Sequence, residues 1–384
     1  MALRLIKRER YLAKIRPFYD TKEIKVLTGI HRSGKSVLLR SIAEELGERG
    51  IPTENILVIN FDCPATASYA YAEGLLEKIR NVARDSHGKL YLFLDAFDRV
   101  EDGEKALDLI RVNVECDIFL AMSDKSLSVD NGAYFPTYPF GFEEFAECYR
   151  ENVGQASLET IFRSFLQTGG MPYVFQLGLD PERVRHYLSD TFKILYVAGI
   201  AERYFIRHLD LLERVADYVI THVGTVFSAG DVLRGLKAIR RTTSADTVIQ
   251  YLRYFCEARL CYRVPREKAG ETVGFSSTDT YYLPDHGIRE AIRPTSDKEQ
   301  GAILRNIIFT EAIRRGFDVS VGKNVDFLCV KEVRTIGIRV DDDGRRNKVN
   351  DKFPIYTVSP EMPALSGNGI HNRNIIDFLL QDEW

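Results

Sequence analysis

The stretch VLTGIHRSGKSVLL, residues 26–39, constrains this chain more than any other. It carries Gly29, then Ile30, His31, Arg32 and Ser33, then Gly34, Lys35 and Ser36, the pattern G-x-x-x-x-G-K-[ST]. Two glycines at that spacing let a loop curl its backbone N–H groups toward one point. Those groups and the head of the following helix then cradle phosphate. Lys35 is placed to reach the outer phosphates, and the Ser36 hydroxyl to hold Mg²⁺. The context agrees, because residues 24–27 read as a short apolar strand and residues 36–46 as a helix. A chance match of the fixed positions would lack that context. The expected binding set is Gly29, His31, Arg32, Ser33, Gly34, Lys35, Ser36 and Val37, with ATP and Mg²⁺ as the ligands.

Further apolar runs follow at 56–61, 89–94 and 117–122, separated by helical patterns at 72–86 and 104–113. Strands of that kind alternating with helices predict a parallel α/β sheet buried on both faces. The third run ends in Asp95. A carboxylate there stands beside the phosphate loop, so Asp95 is expected to join Ser36 around Mg²⁺.

At 384 residues two or three domains are expected. The net charge of −3 announces no global affinity for nucleic acid, while leaving room for a local basic patch. The six cysteines are scattered, without a C-x-x-C pair or a histidine cluster, which fits free thiols in a reducing cytoplasm. No apolar run approaches the ~20 residues of a membrane span. The charged N-terminal stretch reads as an amphipathic helix rather than a secretory signal.

The second half opens with helical patterns at 139–149, 183–198 and around Leu211–Ile220, interrupted by a break at Gly169-Gly170-Met171-Pro172. Helices at 228–238 and 244–258, followed by strands at 260–265 and 280–283, have winged-helix order. In that arrangement the second helix takes the recognition position. Lys237, Arg240, Arg241 and Arg253 are then candidate contacts to DNA phosphates. The competing reading is a protein-contact module whose arginines are solvated. The last part reads as a helix at 300–315, strands at 319–321, 325–330 and 335–340, a loop that runs quickly to 353–358, and a short strand or helix at 374–380.

The order of phosphate loop, LFLDAFDRV, helix, DIFLAMSDKSL and YPFGFEEF resembles the prokaryotic AAA-type ATPases that carry a C-terminal nuclease-like domain, over nearly the whole chain. The resemblance implies an α/β P-loop ATPase domain over 1–150 with a parallel sheet. It implies a helical lid and winged helix over 151–293, and a small α+β, restriction-endonuclease-like domain over 294–384. The departures bear on chemistry. Ala96 stands where the family has the glutamate that activates water, a role alanine cannot fill. Asp98, three residues beyond Asp95, is the candidate replacement. Asp124 occupies the sensor position, and Ala133 stands where the family has an arginine. In the nuclease-like part only Asp326 matches a core acid, while Arg305 and Arg339 occupy other expected site positions, so nuclease activity is not expected. The family reading is thus an ATP–Mg²⁺-binding conformational switch with weak or absent hydrolysis and an unidentified protein partner. The alternative is an active ATPase working on DNA.

Overall fold

The apolar runs of the first half become strands in the computed structural model, which describes residues 4–123, 128–266, 279–294, 300–340, 353–360 and 370–384. Leu5–Tyr138 forms one compact unit, and Pro139–Trp384 with Arg4 another. The first unit runs α1 (Glu9–Ile15), β1 (Ile24–Thr28), α2 (Lys35–Glu48), β2 (Ile56–Asn60), α3 (Ala72–Asp85), β3 (Leu90–Asp95), α4 (Gly103–Asn113), β4 (Cys116–Met122) and β5 (Gly132–Pro136). All five strands are parallel in the order β2-β3-β4-β1-β5. The phosphate loop therefore leaves an interior strand. β5 is absent from the sequence expectation: GAYFP is short, with little apolar burial on the sheet's edge.

Side chains alternate across a strand, so one strand feeds two cores. Ile24 and Val26 of β1 pack with Ile59, Leu75, Ile79, Leu92, Leu107 and Ile110 on one face. Leu27 packs with Leu12, Ile15, Leu38, Ile42, Phe93 and Phe119 on the other. On the Leu27 face the sheet also buries Lys25 beside Asp117, both with fully buried side chains. The ammonium also donates to the Glu23 carbonyl at 3.0 Å, and the second Asp117 oxygen accepts the Asp20 N–H at 2.8 Å. Burial pushes the Lys25 pKa down and the Asp117 pKa up, and each partner's charge opposes the shift.

The second unit begins with α5 (Phe142–Asn152), α6 (Leu158–Thr168), α7 (Pro181–Tyr196) and α8 (Leu209–Thr221). Then come β6 (Val226–Phe227), α9 (Ala229–Ala238), α10 (Ala245–Glu257), β7 (Tyr262–Val264) and β8 (Asp279–Tyr282). The three strands form an antiparallel sheet in the order β6-β8-β7. Ser228 and Asp231 make a reciprocal cap at the head of α9, and Ser244 caps α10 by accepting the Thr247 N–H.

The unit continues with α11 (His286–Ile292), α12 (Gln300–Arg314), β9 (Asp318–Ser320), β10 (Phe327–Lys331), β11 (Arg334–Val340), β12 (Ile355–Ser359), β13 (Ile370–Asn374) and α13 (Ile375–Leu380). The last five strands form a mixed sheet in the order β13-β12-β11-β10-β9. Asp285 caps α11, accepting the Gly287 N–H at 2.8 Å and the Gly170 N–H at 2.7 Å. That bond ties the glycine pair at 169–170 to α11. Trp384 is buried, its ring stacked 4.3 Å from Phe378, and its indole N–H donates to the Phe378 carbonyl at 2.9 Å.

Candidate nucleotide site

The loop between β1 and α2 has the backbone that a phosphate cradle needs. Gly34 sits at φ +101° and Arg32 at φ +65°, left-handed positions that turn successive N–H groups to one side. No side chain caps α2, so the N–H groups of Lys35, Ser36 and Val37 face outward from its first turn. At Gly29 the requirement is space: a Cβ there would overlap the Thr137 carbonyl oxygen. Lys35 is buried, and its ammonium donates to the Gly29 and Ile30 carbonyls at 2.9 and 2.8 Å. It is thereby held over the loop that it would serve. The Ser33 hydroxyl is buried without a hydrogen-bond partner among the described residues, a polar atom left for a further group.

Asp95 ends β3 and is buried; burial pushes its carboxyl pKa up, and the nearby Ser36 hydroxyl and Lys35 charge counter that shift. Ser36 and Asp95 thus stand within hydrogen-bonding reach of each other. Burial, and then the Lys35 charge, hold the His31 ring below its ordinary pKa, which leaves it neutral at pH 7. Cradle, lysine, hydroxyl and carboxylate fit a magnesium nucleotide.

The residue after Asp95 supplies no carboxylate. Ala96 occupies the left-handed region at φ +53° and packs its methyl on the apolar core. Asp98 lies in the one-turn helix Phe97–Arg99, where its Oδ1 accepts the Ser123 N–H at 3.2 Å. Asp98 therefore already holds the end of β4. The charges of Asp98 and Asp62 both act on His31, and Asp62 pairs with Arg99 at 3.2 Å. Asp124 lies outside the described residues. Ala133 pairs with Lys25 near the start of β1, four residues before Gly29. At about 3.3 Å per residue that is ~13 Å along the strand from the chain's own loop.

Sequence reasoning missed Arg8. It precedes α1, is only 4 % exposed, and its guanidinium donates to the Ser33 carbonyl at 3.0 Å and to the Tyr138 carbonyl at 2.9 Å. A single arginine in a charged N-terminal stretch gives no periodic signal, so nothing short of the fold picks it out.

The candidate DNA contacts fall in the second unit. Lys237 is in the last turn of α9, and Arg240 follows at φ +58°. Arg241 pairs with Asp210 at 2.8 Å and Arg253 with Glu257 at 2.9 Å, so two of the four cations have carboxylate partners within their own unit. In the same unit Asp326 accepts the Val340 N–H at 2.8 Å and faces Arg305 at 3.8 Å, while Arg339 donates to the Asn324 carbonyl at 2.7 Å. Among the described residues no group of three or more His, Cys, Asp or Glu side chains is arranged to hold a metal.

Residues 21–146 match a family model described as an AAA domain, and residues 159–299 match one described as a domain of unknown function. An uncharacterised protein of Haemophilus influenzae is 28 % identical over 352 residues, covering 88 % of each chain. An uncharacterised protein of Methanocaldococcus jannaschii is 23 % identical over 311 residues, covering 77 % of this chain and 67 % of its own. Among solved structures, a Walker-type ATPase of Pyrococcus abyssi aligns with a TM-score of 0.48 at 14 % identity, over 75 % of this chain and 96 % of its own. Residues 21–146 thus match the AAA domain model and form a parallel α/β core that resembles P-loop NTPases.

Proposed function

We propose that the first unit binds ATP with Mg²⁺ and hydrolyses it slowly or not at all, so that bound nucleotide acts as a conformational switch. The observation that carries this reading is a complete cradle followed, directly after Asp95, by Ala96 with its methyl in the core. In this reading the N–H groups of 32–37 face the phosphates, and Lys35 leaves the Gly29 and Ile30 carbonyls for the outer phosphates. Ser36 and Asp95 hold Mg²⁺, which when bound offsets phosphate charge. Among the described residues the candidate base Asp98 is engaged with the Ser123 amide. Order–disorder responses of loops to the terminal phosphate are a general basis for such switches.

The test is a calorimetric titration with ATP–Mg²⁺ together with phosphate release on the same sample. Saturable binding is expected, with turnover well below the ~1–10³ per second usual for enzymes. Ala96→Glu is expected to raise turnover about tenfold to a hundredfold, short of the ~10²–10⁴ that a fully positioned base contributes. Because Ala96 already occupies the left-handed region, the glutamate adds little further backbone strain. Turnover on the order of 1 per second in the unaltered chain would overturn the switch reading, and Asp98→Asn would then locate the base.

For the second unit the supporting observations are the order α8, β6, α9, α10, β7, β8 with its three-stranded sheet, and α12 followed by the mixed sheet. They favour a helical and winged-helix region over 151–293 and a nuclease-like fold over 294–384 whose acid Asp326 faces Arg305. A second function reading, an ATPase that acts on DNA, draws on the exposed Lys237 and Arg240 beside the α9–α10 turn. If they contact phosphates, replacing both with alanine lowers the salt slope of DNA binding by about two. An unchanged slope in a filter-binding or anisotropy series would exclude them.

A further inference from the structure

Arg8 and Tyr11 grip the residue at which the first unit ends. Tyr138 is its last residue, and the chain passes into the second unit through Pro139. The Tyr138 carbonyl accepts from the Arg8 guanidinium at 2.9 Å, and the Tyr138 N–H donates to the Tyr11 hydroxyl at 3.1 Å. The guanidinium lies 4.4 Å above the Tyr11 ring, which fixes the two side chains relative to each other. One residue earlier, the Thr137 N–H donates to the Thr28 carbonyl at 2.6 Å, and Gly29 leaves room for the Thr137 carbonyl. Residues 137–138 are thus clamped between α1 and the root of the phosphate loop.

The other arm of Arg8 reaches inside the loop, to the Ser33 carbonyl at 3.0 Å. A trans peptide is planar, with its C=O and N–H on opposite sides. Holding the Ser33 carbonyl toward Arg8 therefore aims the Gly34 N–H to the other side of that peptide. We propose that Arg8 is a positioning residue that sets the Ser33–Gly34 peptide for phosphate and, through its second arm, couples phosphate occupancy to the Tyr138–Pro139 junction. This rests on the nucleotide reading above and adds to it the route by which the switch leaves the first unit. A guanidinium serves because its planar fork presents fixed, separate N–H groups; an ammonium is a single point of charge.

The experiment uses the full chain with Arg8→Lys and Tyr11→Phe, and reads ATP–Mg²⁺ affinity by calorimetry and amide exchange at 134–141 with and without ATP. In the unaltered chain ATP is expected to change exchange at the Tyr138 amide. Arg8→Lys keeps a buried cation but cannot span both carbonyls, so affinity falls about tenfold and the ATP-dependent change at Tyr138 is lost. Tyr11→Phe leaves the Ser33 contact in place and loses only the grip on the Tyr138 amide. Its ATP-dependent change is therefore lost while affinity moves less than threefold. A merely structural role for Arg8 would shift exchange equally with and without ATP. Binding in the unaltered chain with no ATP-dependent change at 137–138, or a change that survives in Tyr11→Phe, overturns the coupling and leaves nucleotide binding standing. Absence of binding in the unaltered chain overturns both.

Discussion

Lys35→Ala is expected to weaken ATP–Mg²⁺ binding by about a hundredfold or more, on the order of 3 kcal/mol, and to lower the stability of the free protein by about 1–3 kcal/mol. The loss is large because the lysine is buried and meets the phosphates where little water competes, the setting in which truncating one charged partner costs about 2–5 kcal/mol. The free protein loses some stability because the lysine there bonds the Gly29 and Ile30 carbonyls. Both bonds are buried, and a buried acceptor left without its donor costs about 1–3 kcal/mol. Calorimetry measures the first quantity and the thermal midpoint without nucleotide the second. Equal affinities in variant and parent would end the phosphate-cradle reading; a collapse of the midpoint would show the lysine to be a structural part of the loop.

The second large effect concerns stability. Asp117→Asn or Lys25→Met alone is expected to destabilise the first unit by about 3–5 kcal/mol, because each leaves the partner charge or its hydrogen bonds buried and unanswered. Lys25→Met combined with Asp117→Leu is expected to cost much less than the sum of the singles. Replacing a whole buried pair with apolar groups of similar volume is often neutral or stabilising. Because the chain has more than one unit, amide exchange in β1 and β4 is a better readout than a single melting curve. Additive single and double variants would show that the two side chains do not act as a pair.

Much of the first unit could be read from the chain because parallel strands buried on both faces write themselves as apolar runs. The runs ending at Asp95 and Met122 became β3 and β4 with those ends. The phosphate loop was readable for a different reason: its chemistry demands fixed residue types at fixed spacing. What escaped was set by tertiary contact. Lys25 and Arg8 are charged residues that become buried only because Asp117 and the Ser33 and Tyr138 carbonyls meet them from far along the chain. β5 was missed because it is an edge strand with one partner and few buried side chains. In the second unit α9 and α10 were legible as helices at 228–238 and 244–258, and the place of Trp384 was not, since it depends on what packs around it.

Trp384 has an optical consequence. It is the chain's one tryptophan, and it sits in the second unit, stacked on Phe378. Red-edge excitation near 295 nm (an approximate wavelength outside tyrosine absorption) therefore reports on that unit, whereas the nucleotide loop belongs to the other. Any change in emission on adding ATP to the intact chain is then light from one unit answering chemistry in the other, without a label attached to either.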